Sequence, residues 1–88
     1  MIPLNYAILK HFTEVPEASA DDVIEALMPR YGSFKALKKH AVVEALMTAE
    51  QNGLIEETRI DLDDNGELRV FYQAHEEGAA TINKYIGD

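Results

Sequence analysis

The residues best placed to do chemistry are Arg30, Lys35, Lys38 and Lys39. They fall with His40 on a stretch, 26–43, that holds no carboxylate. The chain of 88 residues has a formal net charge of −8, so these four cations leave −12 for the remainder. Positive charge concentrated this way attracts a phosphate backbone, while the acid around it discourages indiscriminate binding. Lys35 and Lys39 are four apart and share a face if the segment is helical. Ser33 and His40 add groups that hydrogen-bond phosphate or a base edge. Arg30, Ser33, Lys35, Lys38, Lys39 and His40 are therefore the candidate nucleic-acid contacts. Four phosphate contacts imply a log–log salt slope of roughly 0.9 × 4 on duplex DNA, and two protomers would double it. A solvated basic stripe on an acidic surface is the plainer reading of the same residues.

Other chemistry finds less support. Asp61-Leu62-Asp63-Asp64-Asn65-Gly66 matches the first half of a calcium-binding loop. Tyr72 stands where that loop needs a bidentate Glu, so the segment reads as a turn. His11, His40 and His75 lie in separate elements without metal-ligand spacing. Ser19 and Ser33 sit where helix caps belong, with no nucleophile elbow and no glycine-rich phosphate loop. The expectation is a non-enzyme with no cofactor and no metal. The seven aromatic residues fall mostly on apolar faces and read as core, not as a platform for stacking bases.

The totals narrow the class. One domain spanning 1–88 is expected, small but 47% hydrophobic. The absence of cysteine excludes a disulfide framework and thiolate chemistry. The start, Met1-Ile2-Pro3-Leu4-Asn5, lacks the basic and apolar regions of a signal peptide. No apolar run nears the roughly 20 residues of a membrane span. A soluble, cytoplasmic protein that does not engage membranes is expected.

These residues must be positioned by helices and a hairpin. The spacing of Leu4, Ile8, Leu9 and Phe12 predicts a first helix over Asn5–Thr13, with Asn5 as its cap. Ser19 and Asp22 form a capping-box pattern for a second helix, which Pro29 weakens and Gly32 closes. Ser33 is expected to cap a third helix from about Phe34 to Asn52. Phe34, Leu37, Ala41, Val42, Ala45, Leu46 and Ala49 lie on one broad face of it, and Ala36, His40, Val43 and Met47 on another. A helix apolar on two sides is sandwiched or half-covered by a partner. The period then becomes two over Leu54–Leu62 and Glu67–Gln73, around Asp63-Asp64-Asn65-Gly66, whose Asn-Gly pair supplies the positive φ values of a hairpin turn. A last amphipathic helix is expected over Glu76–Ile86.

Three helices, a hairpin and a closing helix resemble the α+β winged-helix arrangement, a helix-turn-helix with a β-ribbon wing. The run Val42–Ile55, with Leu46 and Gly53-Leu54-Ile55, is similar to the end of a recognition helix entering the wing, a text of the form aLxxLexxGLI. Arg69–Ala80, with Tyr72 and Glu76-Glu77-Gly78, is similar to the rxYxlTeeGxaaL stretch of PadR-like transcriptional regulators. The resemblance covers about residues 4–87. It implies a regulator that binds duplex DNA through the third helix, whose start would be Ser33–His40, with Asp63–Gly66 as the wing tip. A homodimer is also expected, with the first and last helices and the Ala36/Val43/Met47 face as candidate contacts, since a small domain gains stability by burying such stripes. This chain departs from the pattern at His75, where a Thr usually caps the last helix. Its wing is also acidic where the family often presents Arg or Lys, and it stops where many such proteins continue into a dimerising helical region. The acidic wing supports a rival reading, a winged-helix protein-interaction module that docks a basic protein without touching DNA. Where the wing sits relative to the basic helix discriminates between the two.

Overall fold

Pro3 starts the first helix, because its carbonyl accepts from both the Tyr6 and the Ala7 amides at 3.0 Å and its fixed φ suits the position. The computed structural model, which describes residues 2–86, places α1 at Leu4–His11. Asn5 is thus inside the helix, not its cap, since Leu4 must turn into the core. Residues 12–14 continue as turns, with Thr13 Oγ1 donating to the Lys10 carbonyl. A two-residue strand, β1 (Ala18–Ser19), follows.

Ser19 then caps α2 (Ala20–Tyr31) with both arms of the expected capping box. Its hydroxyl accepts from the Asp22 N–H at 3.3 Å, and its own N–H donates to Asp22 Oδ2 at 2.9 Å. Val23, Leu27 and Tyr31, each four apart, are buried. Tyr31 anchors the end of the helix by donating its hydroxyl to the Ile2 carbonyl at 2.6 Å. Pro29 therefore lies within the helix without ending it.

The third helix begins later than its sequence suggests. α3 runs Lys39–Gln51, with Lys38 extended as the N-cap and no side-chain cap. Residues 32–38 form turns in which the Phe34 N–H donates to Tyr31 and the Leu37 N–H to Phe34. The reason is geometric. Leu37 and Leu46 are nine residues apart, so on a continuous helix of 3.6 residues per turn they would fall at the two extreme edges of the expected broad face, half a turn from one another. Both are buried, together with Val42 and Ala49, and only a break before Lys39 lets them converge.

β2 (Glu56–Leu62) and β3 (Leu68–Gln73) form the wing, joined by a turn of which only Gly66, at φ 78°, has positive φ. Asn65 does not, so this is a longer loop than the two-residue Asn-Gly turn expected. The sheet order is β1-β3-β2, which leaves β2 as an edge strand with a bulge between Glu57 and Arg59. α4 (Glu76–Tyr85) closes the fold against α1. His75 does cap it. Its Nδ1 accepts from the Gly78 N–H at 3.1 Å, so its Nε2 carries the proton and donates to the Gly53 carbonyl at 3.0 Å. A Cβ on Gly78 would collide with the Leu54 carbonyl. The two glycine-bearing segments of the winged-helix resemblance therefore meet in space and lock α4 onto the root of the wing. The core lies between α1, α2 and α3 and is floored by Ile55 and Tyr72.

Candidate nucleic-acid interface

The six candidate residues gather around one corner, the α2–α3 turn. Arg30 is in the last turn of α2, Ser33 and Lys35 are in the connection, Lys38 is the N-cap of α3, and Lys39 and His40 open it. All six are exposed. Ser33 to His40 is thus a turn followed by a helix start, in place of two turns of recognition helix, and Ser33 does not cap α3. The late helix start also removes Lys35 and Lys39 from a common helical face.

Local electrostatics at this corner differ from those at the starts of α2 and α4, while α1 opens on Pro3 with neither a side-chain cap nor a charge in its first turn. α2 opens with the Ser19 cap and the acids Asp21 and Asp22, and α4 with the His75 cap and Glu76 and Glu77. These arrangements satisfy and complement the positive end of the helix dipole. α3 opens on Lys38, Lys39 and His40, with no acid in its first turn. Such a start lacks internal compensation and favours an external anion. Arg30, Lys35 and Lys38 form no ion pair among the described residues. Lys39 does, donating to Asp21 Oδ2 at 3.2 Å.

The wing treats its cations in the opposite way. Arg69 donates to Asp22 Oδ1 at 2.7 Å and to Ser19 Oγ at 2.9 Å. Arg59 is 3.0 Å from Glu17 and 3.3 Å from Asp61, and its guanidinium lies 3.8 Å from the centre of the Phe71 ring. Burial works to raise the Asp22 carboxyl, but the Ser19 amide and hydroxyl and the Arg69 guanidinium outweigh it and hold it low. Glu17 is also held low, first by the Thr58 hydroxyl and then by Arg59. Arg69 therefore pins the wing to the start of α2, and the exposed Arg59 ties it to Glu17 just ahead of β1.

The wing tip is an ordinary turn built on a carboxylate. Asp63 Oδ1 accepts from the Asn65 N–H at 2.8 Å and the Glu67 N–H at 2.9 Å. The Glu67 amide is the main cause holding Asp63 low, and the charges of Lys39 and Arg69 add to it. The acidic wing thus runs alongside the start of α3 at Lys39. Among the described residues no group of three or more His, Cys, Asp or Glu is placed to hold a metal ion. No described helix is long and apolar enough to cross a membrane.

Sequence reasoning missed the internal pairing of Arg59 and Arg69, whose partners lie some forty residues earlier, and the groove that the wing makes with α3. Cross-strand pairs Ile60–Val70 and Leu62–Leu68 put one apolar wing face toward Val43 and Met47, across a groove of about 380 Å³. The alternation of the hairpin and the second apolar face of α3 were the available signal, but neither says that the two face one another.

Comparison with known proteins supports the fold and stops there. No protein-family model matches the chain, and no curated protein matches it. A crystal structure of Bacillus subtilis PadR in complex with operator DNA is similar in structure, with a TM-score of 0.74 at 20% sequence identity. The match covers 97% of this chain and 47% of that one, so the chain spans about half the length of the PadR it resembles. The architecture is α+β, a winged helix like that part of PadR.

Proposed function

We propose that this chain is a transcriptional regulator that binds duplex DNA through the α2–α3 turn and the start of α3. The observation that carries the reading is the contrast between helix starts: α2 and α4 are capped and acidic, α1 opens uncapped on Pro3 with no charge in its first turn, and α3 opens uncapped on cations. In this reading Arg30, Lys35 and Lys38 hold phosphate, Ser33 and His40 hydrogen-bond nearby, and Lys39 joins once phosphate competes with Asp21. The first turn of α3 enters the major groove. The operator complex of the structurally similar PadR supports this choice of ligand. A second copy packing through Tyr6, Leu9 and Tyr85, which border a shallow groove between α1 and α4, would double the phosphate contacts. A regulator of this kind works in the cytoplasm.

The test is fluorescence anisotropy with random-pool and own-promoter duplexes at about 50 and 200 mM salt, where phosphate contacts reveal themselves. Binding that weakens steeply with salt and prefers the promoter is expected. No binding at low salt overturns the reading. One observation favours a second reading, a protein-interaction module without DNA binding. The acidic wing, with Asp63, Asp64 and Glu67 around its tip and its arginines in internal pairs, runs alongside Lys39 at the start of α3, where it repels the phosphates that the basic corner attracts.

A further inference from the structure

The groove between α3 and the wing shares Lys39 with the contacts proposed for DNA, but those contacts leave its apolar lining unused. Met47 is 49% exposed, Ile60 54% and Leu68 68%, and with Val43 and Val70 they form one continuous apolar surface. Apolar side chains left this open next to one another mark a surface that another molecule covers. The charges along the groove indicate the kind of molecule. Lys39 is neutralised by Asp21 and Arg69 by Asp22. Glu50 and Glu57 also line the groove and form no ion pair among the described residues. Tyr72 lines the same groove, and burial above all, and then the charges of Glu50 and Glu57, keep its hydroxyl protonated to higher pH. The rim is therefore acidic around an apolar floor.

We propose that the groove between α3 and the wing docks a basic amphipathic helix from a partner protein, its apolar side chains on Met47, Ile60 and Leu68 and its Lys or Arg residues on Glu50 and Glu57. A second copy of this chain fits less well, because it presents the same acidic rim to itself. Addition of a strand to the exposed edge of β2 is opposed by the bulge at Glu57/Arg59 and by the charged residues along that edge. A helix laid between α3 and the sheet needs no backbone pairing. It meets the floor with residues at i, i+3 and i+4. This site shares Lys39 and helix α3 with the DNA reading, but its test reads peptide binding at Met47, Ile60 and Leu68 and is decided without DNA.

The probe is a synthetic Leu/Lys peptide with leucines at helical spacing, compared with a scrambled peptide of the same composition and a Leu/Glu version. The patterned Leu/Lys peptide is expected to bind and to shift the Met47 and Ile60 methyl resonances. The scrambled peptide should bind about tenfold more weakly or worse, and Leu68→Asp should cost a similar factor. Glu50→Lys with Glu57→Lys, both on exposed side chains, should transfer the preference to the Leu/Glu peptide, and this holds as a test even if Leu68→Asp unfolds. Equal binding of patterned and scrambled peptides would reduce the effect to bulk charge and overturn the proposal. So would methyl shifts elsewhere, or shifts at Met47 and Ile60 caused by duplex DNA but not by peptide. Self-association that Leu68→Asp abolishes and the peptide displaces would overturn it in favour of a second copy.

Discussion

The cations around the α2–α3 turn and those on the wing are of the same type but stand in different electrostatic positions. Arg59 and Arg69 are tied to Glu17, Asp22, Ser19 and Phe71 and hold the hairpin to the start of α2. Arg30, Lys35 and Lys38 face solvent without an ion pair among the described residues, next to a helix start that has no cap of its own. A census of arginines and lysines does not distinguish the two sets. Position relative to carboxylates does. Charge that is already paired rigidifies the fold and gives little field outside it, whereas unpaired charge at a helix N-terminus is available to a ligand.

Reversing both sets in parallel gives the largest effect. Lys35→Glu with Lys38→Glu should lower DNA affinity about 100-fold or more at low salt, with the unfolding midpoint in urea nearly unchanged. Arg59→Glu with Arg69→Glu should instead lower the urea midpoint and leave low-salt DNA affinity less affected, because Glu17 and Asp22 would then face like charge across the contacts that hold the wing. If both pairs move the same observable, the distinction between them is gone. A milder change, Arg69→Met, should remove about 1–3 kcal/mol, read by urea denaturation, with α2 losing a partner of its capping box. Its DNA affinity should change less than that of either lysine variant.

The pins also make a prediction about acid. The Asp22 and Glu17 carboxyls are held below their ordinary values, 3.8 and 4.5. The stability they contribute is therefore fully present above those values and is lost as pH falls through their lower folded-state values. Thermal melts of wild type between neutral pH and pH 3 should fall at the acid end. Asp22→Asn should start lower at neutral pH and decline less. The smallest effect belongs to the one cation that the two regions share. Asp21→Asn should free Lys39, raise DNA affinity two- to threefold and steepen the salt slope by at most about one. Stability should move by no more than about 0.5 kcal/mol, since the Lys39–Asp21 pair is exposed.

The resemblance to a winged helix rested on Gly53-Leu54-Ile55 and Glu76-Glu77-Gly78, and the structure gives both a physical reason. Gly53 takes a φ of 76°, its carbonyl accepts from His75, and Gly78 lets α4 lie against Leu54. His75, which looked like a departure because Thr is usual there, performs the same capping with a ring nitrogen. The candidate contacts were legible as a cluster, and the fold brings all six to one corner. Their division into helix and turn was not, because it hinges on Leu37.

Much of this molecule is local, and the sequence alone determined that part. The Ser19–Asp22 capping box, the presence of a turn at Asp63–Gly66 and the order of the four helices and the hairpin depend on groups within about four residues of one another, where spacing and side-chain type suffice. By contrast β1, which no local pattern announces, exists by pairing with Tyr72 and Phe71. Tertiary structure decided what depends on distant groups. The break before Lys39 exists because Leu37 and Leu46 both had to reach one core. The wing is pinned because Arg59 and Arg69 meet carboxylates 42 and 47 residues away. The acidic-rimmed groove exists because a strand face and a helix face, each apolar for its own reasons, were folded to look at each other.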